Sequence, residues 1–536
     1  MECHCLRAVE LPHTTPLYAA YVDDFPAVAR FYAHAPTSEQ VSHLARQVPA
    51  DIEMRRAVAE VLRRQNRGFG ADAAVESILD RFAAGAAAIV TGQQVGLFSG
   101  PAYTIYKAAT ALRTAADLAA AGTPAVAIFW LAAEDHDLEE IDHTYWLTRA
   151  EPVRLELRAE GAVQGRVGNV PLGEAVTRLV ARAAELTEGP ARQQIVAAIE
   201  EFYRPGETYS SAFGKLMARV FAGTGLILLD PLSPELHRLA APIYRGAIEQ
   251  HSKLTKELIE RSSALEKAGY HAQVKVASEN TLLFADVDGE RTPLRARDSE
   301  LGLGSRQLST AEALKLFEES PGRFSPNALL RPVVQDFLLN TIAYVGGPAE
   351  IAYFAQASVV YQRLLSRMPV ILSRAAFTLV DARAARALRK YGLELADMFR
   401  GQVQVRSKME QLLLPAELAG RLSENEKTLR EMLAGLREPI AKLDPTLVGA
   451  LETAENKILY QFSNLAGKAA HAVAQRSAVL DAHERELMGT LYPNGELQER
   501  SLCFLPMLAA QGTELLTELV QRAHSGGAKH QVLYLS

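Results

Sequence analysis

The sequence predicts an α/β protein with a doubly wound, largely parallel core and an antiparallel helical hairpin inserted late in the chain. Three observations carry that expectation. Two buried apolar runs, AAIVTG at 87–92 and AVAIFWL at 125–131, flank one alanine-rich helical stretch. From Asp381 to Tyr492 the sequence is nearly all helix-forming, with leucines at heptad-like intervals. Mixed patterning then returns and ends in QVLYL at 531–535, which is expected to add a last strand to the core.

A chain of 536 residues holds two to four units at about 150 residues per domain. Its 48% hydrophobic and 22% charged residues exclude a largely disordered or fibrous protein. The formal charge of -6, from 57 basic and 63 acidic side chains, speaks against nucleic acid or an anionic membrane as partner. Small-molecule chemistry is the expectation that remains. The three cysteines, Cys3, Cys5 and Cys503, form no disulfide framework and fit a reducing compartment. The first thirty residues show no signal-peptide pattern, and the apolar run at 125–133 is far too short to span a membrane. A cytoplasmic location is therefore expected, with no membrane partner. Cys3-His4-Cys5 invites a metal, but it lies at a terminus expected to fray, and no metal is assigned.

Taken in order, the strand at 87–92 runs into a glycine-rich turn and a helix from Tyr103 to Ala120, closed by Gly122 and Pro124. The strand at 125–131 follows and leads into EDHDLEEID. Two buried strands joined by such a helix make a βαβ unit with parallel strands. LILLD at 226–230, AYVGG at 343–347 and PVILSR at 369–374 fit the same sheet. Two stretches look inserted: 150–220 is mostly amphipathic helix, and 270–325 alternates like a small β-rich excursion. The core is thus placed at 1–380, the helical domain at 381–491, and a segment returning to the core at 492–536. Leu418, Leu422, Leu429, Leu433 and Leu436 mark one long helix, and Leu443-Asp444-Pro445 breaks it. Leu451, Ile458, Phe462, Leu465, Val473, Leu480 and Leu487 mark the return. The expected form is a projecting coiled coil whose surplus apolar surface makes a homodimer; the alternative is a bundle with its own core.

Three segments point to chemistry. TGQQVGLFSGP at 91–101 joins strand to helix, where glycines permit close approach and free N–H groups attract anions. Gln93, Gln94, Gly96, Ser99, Gly100 and Lys107 are the substrate-binding candidates there. The spacing is neither a dinucleotide fingerprint nor a P-loop, and a packing turn is the alternative. Glu134-Asp135-His136-Asp137 follows the second strand, at the end where open α/β sheets bind ligands. His136 suits acid–base work at neutral pH, with Asp135 or Asp137 to orient it; the alternative is a solvated acidic helix start. The third segment supplies Gln335, Asp336, Gly346, Gly347, Glu350 and Tyr353 around a Gly-Gly-Pro turn, against the alternative of a merely capped helix. For Gln498-Glu499-Arg500, an interdomain salt bridge competes evenly with ligand binding.

Together TGQQVGLFSGPAYTIYK at 91–107, FWLAAEDHDLEEID at 129–142, RPVVQDFLLNTIAYVGGPAEIAY at 331–353 and YPNGELQER at 492–500 resemble the BshC family of bacillithiol biosynthesis. The resemblance spans most of the chain in the family's order. It implies a Rossmann-like core with connecting insertions and a coiled coil used for dimerisation. It also implies amide formation between the carboxyl of L-cysteine and the amine of glucosaminyl malate, with ATP activating the carboxyl. Under that reading the 92–100 loop holds phosphate or carboxylate. His136 moves a proton or stabilises the transition state, and Gln335, Asp336 and Glu350 hold the amine or sugar hydroxyls. The glycine loop has no HIGH motif, and no cysteine–histidine zinc set is present to grip a thiol. Two other readings remain: a metal-dependent hydrolase using His136, Asp137 and His143, and a nucleotide-binding coiled-coil scaffold.

Overall fold

The computed structural model describes residues 2–149, 151–158, 165–297, 300–474, 477–524 and 529–535. Five parallel strands make the core sheet, in the spatial order Val370–Ser373, Thr341–Gly346, Ala87–Gln94, Ala125–Ala132, Ile227–Leu229. The first strand in sequence lies at the centre, and the chain winds outward from it in both directions. This is the doubly wound order with its switch point between Ala87–Gln94 and Thr341–Gly346.

Period-two alternation explains why these runs become strands buried on both faces. Ile89, Phe129 and Val345 enter one hydrophobic cluster together with the helix Tyr103–Ala120. Val90, Ile128, Trp130 and Tyr344 enter the opposite cluster with the helix Pro348–Leu364. The two crossover helices therefore cover opposite faces. Gly92 is required where the central strand meets its neighbour, because a Cβ there would stand 2.7 Å from the carbonyl oxygen of Trp130.

The two insertions take the expected forms. Within 150–220 the helices Ala175–Leu186, Arg192–Phe202 and Tyr209–Val220 dominate. The second insertion is a five-stranded antiparallel sheet whose central hairpin pairs Asn280–Val287 with Glu290–Arg297. Asp288 and Gly289 both have positive φ, the conformation that suits a two-residue Asp-Gly hairpin turn.

The last strand corrects the sequence expectation. His530–Tyr534 does not join the core sheet; it pairs in parallel with Ala376–Val380 and antiparallel with Glu2–Leu6. The terminus expected to fray is therefore a paired strand, and Cys3 and Cys5 are exposed on it as free thiols. The turn at Arg374-Ala375 separates Val370–Ser373 of the core sheet from Ala376–Val380 of the second sheet.

Beyond it, Ala416–Leu443 and Val448–Ala474 form the hairpin, joined by the 3-10 turn Pro445–Leu447. At 1.5 Å per residue each arm is about 40 Å long. No residue of Ala416–Leu443 is buried, and exchanges such as Arg430–Glu426 and Arg421–Glu417 run along its surface. The bundle with its own core is thereby confined to the base, where Leu388, Met409, Leu480 and Leu487 cluster. No helix among the described residues is long and apolar enough to cross a membrane.

Candidate active site

The switch point opens a cleft of about 370 Å³ between the carboxyl ends of Ala87–Gln94 and Thr341–Gly346. Diverging crossovers leave this gap unfilled, which is why ligands bind there in doubly wound sheets. Gln93, Gln94, Lys107, Asp135, Gly347, Glu350 and Tyr353 line it, so all three sequence segments converge on one place. Tyr103, Glu140, Arg331, Arg374 and Arg500 complete the wall.

Lys107 sits at its centre, 3% exposed. Its Nζ donates to the carbonyl of Gly92 at 2.9 Å and to Gln93 Oε1 at 2.8 Å, and it forms an ion pair with Glu350. Burial lowers the ammonium pKa, and Glu350 opposes that shift. Glu350 caps its own helix by accepting the Gly347 N–H at 2.8 Å, and it accepts the Tyr344 hydroxyl at 2.5 Å. Burial would raise its carboxyl, but Lys107 and that N–H hold it below the usual value. Capping and ligand-site chemistry thus share one side chain.

Arg331 starts the helix Arg331–Leu339 and reaches Tyr353 Oη at 2.5 Å and Gln335 Oε1 at 3.2 Å. Burial alone would lower its guanidinium, but Tyr353, Tyr344 and Glu350 hold it above its ordinary value. Arg374 makes a bidentate pair with Glu499, at 2.9 and 2.6 Å, and lies 5.3 Å from the Tyr103 ring centre. The predicted interdomain salt bridge therefore exists, through Glu499, while Arg500 faces the cleft.

On the opposite rim, Gln94 donates to Asp135 at 3.5 Å and to Glu140. Asp135 accepts the His136 N–H at 2.8 Å. Arg291, from the antiparallel insertion, stands 3.7 Å from Asp135 and 3.1 Å from His136 Nδ1. It is itself fixed by Ser325 Oγ, the Pro326 carbonyl and the face of Phe284. Glu134, next in chain, is buried against Arg166 and His237.

Several sequence expectations need correction. Residues 95–100 do not cradle a ligand, because Phe98, Ser99 and Gly100 adopt positive φ and fold the loop into the protein. There Gly96 packs against Gly100, and Ser99 is fully buried. His136 and Asp137 lie outside the cleft wall, and the His136 side chain is 59% exposed beside Arg291. Gln335 is buried under Arg331. Asp336 is an internal anchor: it pairs with Arg367 at 2.5 Å and accepts the Thr341 N–H at 2.8 Å, fixing the turn into the strand Thr341–Gly346. Gly346 is also behind the wall, where its carbonyl accepts the Arg374 N–H. His143 hydrogen-bonds Asp142 on a separate short strand. Among the described residues, no group of three or more His, Cys, Asp or Glu side chains converges as a metal-ligand set.

Sequence reasoning missed Arg374 and Arg291. Arg374 directly follows a core strand, a position that carried a usable signal. Arg291 lies in a distant insertion and carried none.

Comparison with known proteins covers the whole molecule. Residues 1–375 match the model of the bacillithiol biosynthesis BshC N-terminal Rossmann-like domain, and residues 377–535 match the BshC C-terminal coiled-coil domain. Relatives carrying the name "Putative cysteine ligase BshC" include one from Koribacter versatilis, 39% identical over 97% of both chains. A second, from Solibacter usitatus, is 37% identical over 99% of this chain and 100% of its own. A third, from Salinibacter ruber, is 32% identical over 96% of each.

Proposed function

Because the chain belongs to the BshC family of bacillithiol biosynthesis, we propose that its switch-point cleft joins the carboxyl of L-cysteine to the amine of glucosaminyl malate. The carrying observation is the cleft wall, which combines cations with carboxylates. Lys107, Arg331 and Arg500 line it together with Asp135, Glu140 and Glu350. Amide formation from a free carboxylate needs both kinds of group. The cations hold the carboxylate and stabilise the charge that grows on its oxygen. The carboxylates hold the ammonium of the incoming substrate and take the proton that frees its lone pair for attack, and the second amine proton is lost as the amide forms.

A nucleotide's phosphates would be held by Arg331 and Arg500. Bound there, ATP would supply a leaving group to the cysteine carboxyl. Gln94 orients Asp135, and Lys107 ties the Gly92 carbonyl to Glu350, so both rims are held before substrate arrives. His136, with Arg291 at its Nδ1, acts from outside the wall through Asp135. The apolar residues exposed along the hairpin, including Met432, Leu436, Leu443 and Leu465, support a homodimer through the coiled coil.

The test is reconstitution of the purified protein with cysteine, glucosaminyl malate and ATP, following thiol product and nucleotide together. Product and cleaved nucleotide are expected in equal amounts. Product without nucleotide cleavage would overturn carboxyl activation, and no product would overturn the ligase assignment.

A further inference from the structure

Beside the cleft lies a second chamber of about 250 Å³, lined in part by Glu496, Leu497, Glu499 and Arg500 of the YPNGELQER segment. The two cavities abut at Pro348, Ala349, Arg374 and Arg500, which line both. The far side of the second is built from the turn preceding the helix Pro16–Asp23, from Gln273, and from the stretch around Leu497.

Its chemistry differs from that of the cleft. The charge buried in its wall is already satisfied: Glu499 is held by Arg374 and by the Phe377 N–H at 3.1 Å. The Tyr18 hydroxyl is bonded to Ser373 at 2.9 Å. What the chamber offers a ligand is apolar surface from Leu11, Pro12 and Leu497, with neutral polar groups from Thr14, Thr15 and Gln273. Thr15 Oγ1 accepts the Tyr18 N–H at 3.4 Å, which leaves its hydroxyl hydrogen to donate. Gln273 Oε1 bonds His271 at 3.0 Å, which leaves its amide N–H groups to donate. Glu496 adds one carboxylate.

Apolar faces with a few neutral, directional donors suit a sugar ring, whose faces are apolar and whose rim carries hydroxyls. A free phosphate or a second amino acid would call for a cluster of unpaired cations, whereas Arg374 is taken by Glu499 and Arg500 is shared with the cleft. A condensation of two substrates also needs two spaces that meet, because the amine must come within about 3–3.5 Å of the carboxyl it attacks. The abutment at Ala349 and Arg374 supplies such a meeting point.

We propose that this chamber binds the sugar ring of the amine substrate and presents its amine to the cleft, where cysteine and its activating group bind. The inference rests on the ligase reading of the cleft, but it is tested without turnover. The experiment measures binding of D-glucosamine and of glucosaminyl malate to the full-length protein by titration calorimetry and saturation-transfer NMR. Wild type is compared with Gln273→Ala, Thr14→Val and the cleft variant Gln94→Ala, with thermal melts confirming that each is folded. Gln273 is exposed, so its truncation leaves the core untouched. Gln273→Ala and Thr14→Val are each expected to weaken sugar binding about tenfold, the effect of one lost hydrogen bond. Gln94→Ala, which reaches only the amine end of the substrate through Asp135, is expected to weaken it less than either chamber variant. Sugar binding that survives both chamber variants, that is lost only in Gln94→Ala, or that is absent from wild type overturns the assignment. Sugar binding as predicted with no condensation activity would retain the chamber and reject the ligase reading.

Discussion

The cleft and the hairpin are both rich in charge, yet their charges do different work. In and beside the cleft, Lys107, Arg374 and Glu499 are buried, Glu350 is half-buried, and each is held by several partners. On the hairpin, Arg430–Glu426 and Arg421–Glu417 are exposed pairs one helical turn apart. A buried ion left without its partner is costly, whereas an exposed pair one turn apart contributes only about 0.2–0.5 kcal/mol. Position in the fold, rather than charge content, therefore separates chemistry from solubility in this molecule.

Substitutions in the cleft should have the largest effects. Lys107→Met removes the cation that joins the Gly92 carbonyl to Glu350, and kcat/KM should fall by about two to three orders of magnitude, measured with saturating ATP. Arg374→Met leaves Glu499 buried and unpaired and should cost about 3–5 kcal/mol in urea unfolding. Asp336 tests burial by pH. Burial raises its carboxyl from 3.8 to about 6, against the pull of Arg367. A carboxyl raised on folding contributes stability that is full below its unfolded pKa and is lost as pH rises through its folded pKa. Wild type should therefore lose stability relative to Asp336→Asn between about pH 4 and 6, by no more than about 3 kcal/mol. Denaturant midpoints across that range measure it, and a flat difference would contradict it. On the hairpin, Arg430→Ala should change stability by less than about 0.5 kcal/mol. Leu436→Gln with Leu465→Gln should leave the core's unfolding unchanged while sedimentation shifts from dimer to monomer.

The same contrast explains what was legible in the sequence. The strands, both crossover helices and the hairpin follow from periodicity and from Pro445, because burial on two faces and heptad spacing leave direct marks. Gln94 and Glu350 were legible because they sit at a strand end and in a first helical turn, and Lys107 because it lies early in the helix that follows the glycine-rich turn. Ser99 and Gly100 misled, since their glycine-rich context serves a buried turn with positive φ rather than an anion cradle. Asp336 misled for a related reason: its partner Arg367 lies 31 residues away, and only the fold brings them together. Arg291 joins the site from a segment far away in sequence, so no local pattern could announce it. Of the chamber beside the cleft, only the 492–500 and 348–349 parts of the wall lie in segments that carry the family resemblance. The final strand was recognised but placed in the wrong sheet, because an alternating apolar run does not specify its neighbour.

The most direct test of the central claim compares Gln94→Ala with Arg430→Ala for amide formation from cysteine, glucosaminyl malate and ATP in full-length protein. Gln94 lies on the cleft rim, and its side chain bonds to Asp135 and Glu140. If the switch-point cleft is the active site, Gln94→Ala lowers kcat/KM at least tenfold with an unchanged melting temperature, and Arg430→Ala matches wild type. Equal activity in the two variants would contradict it.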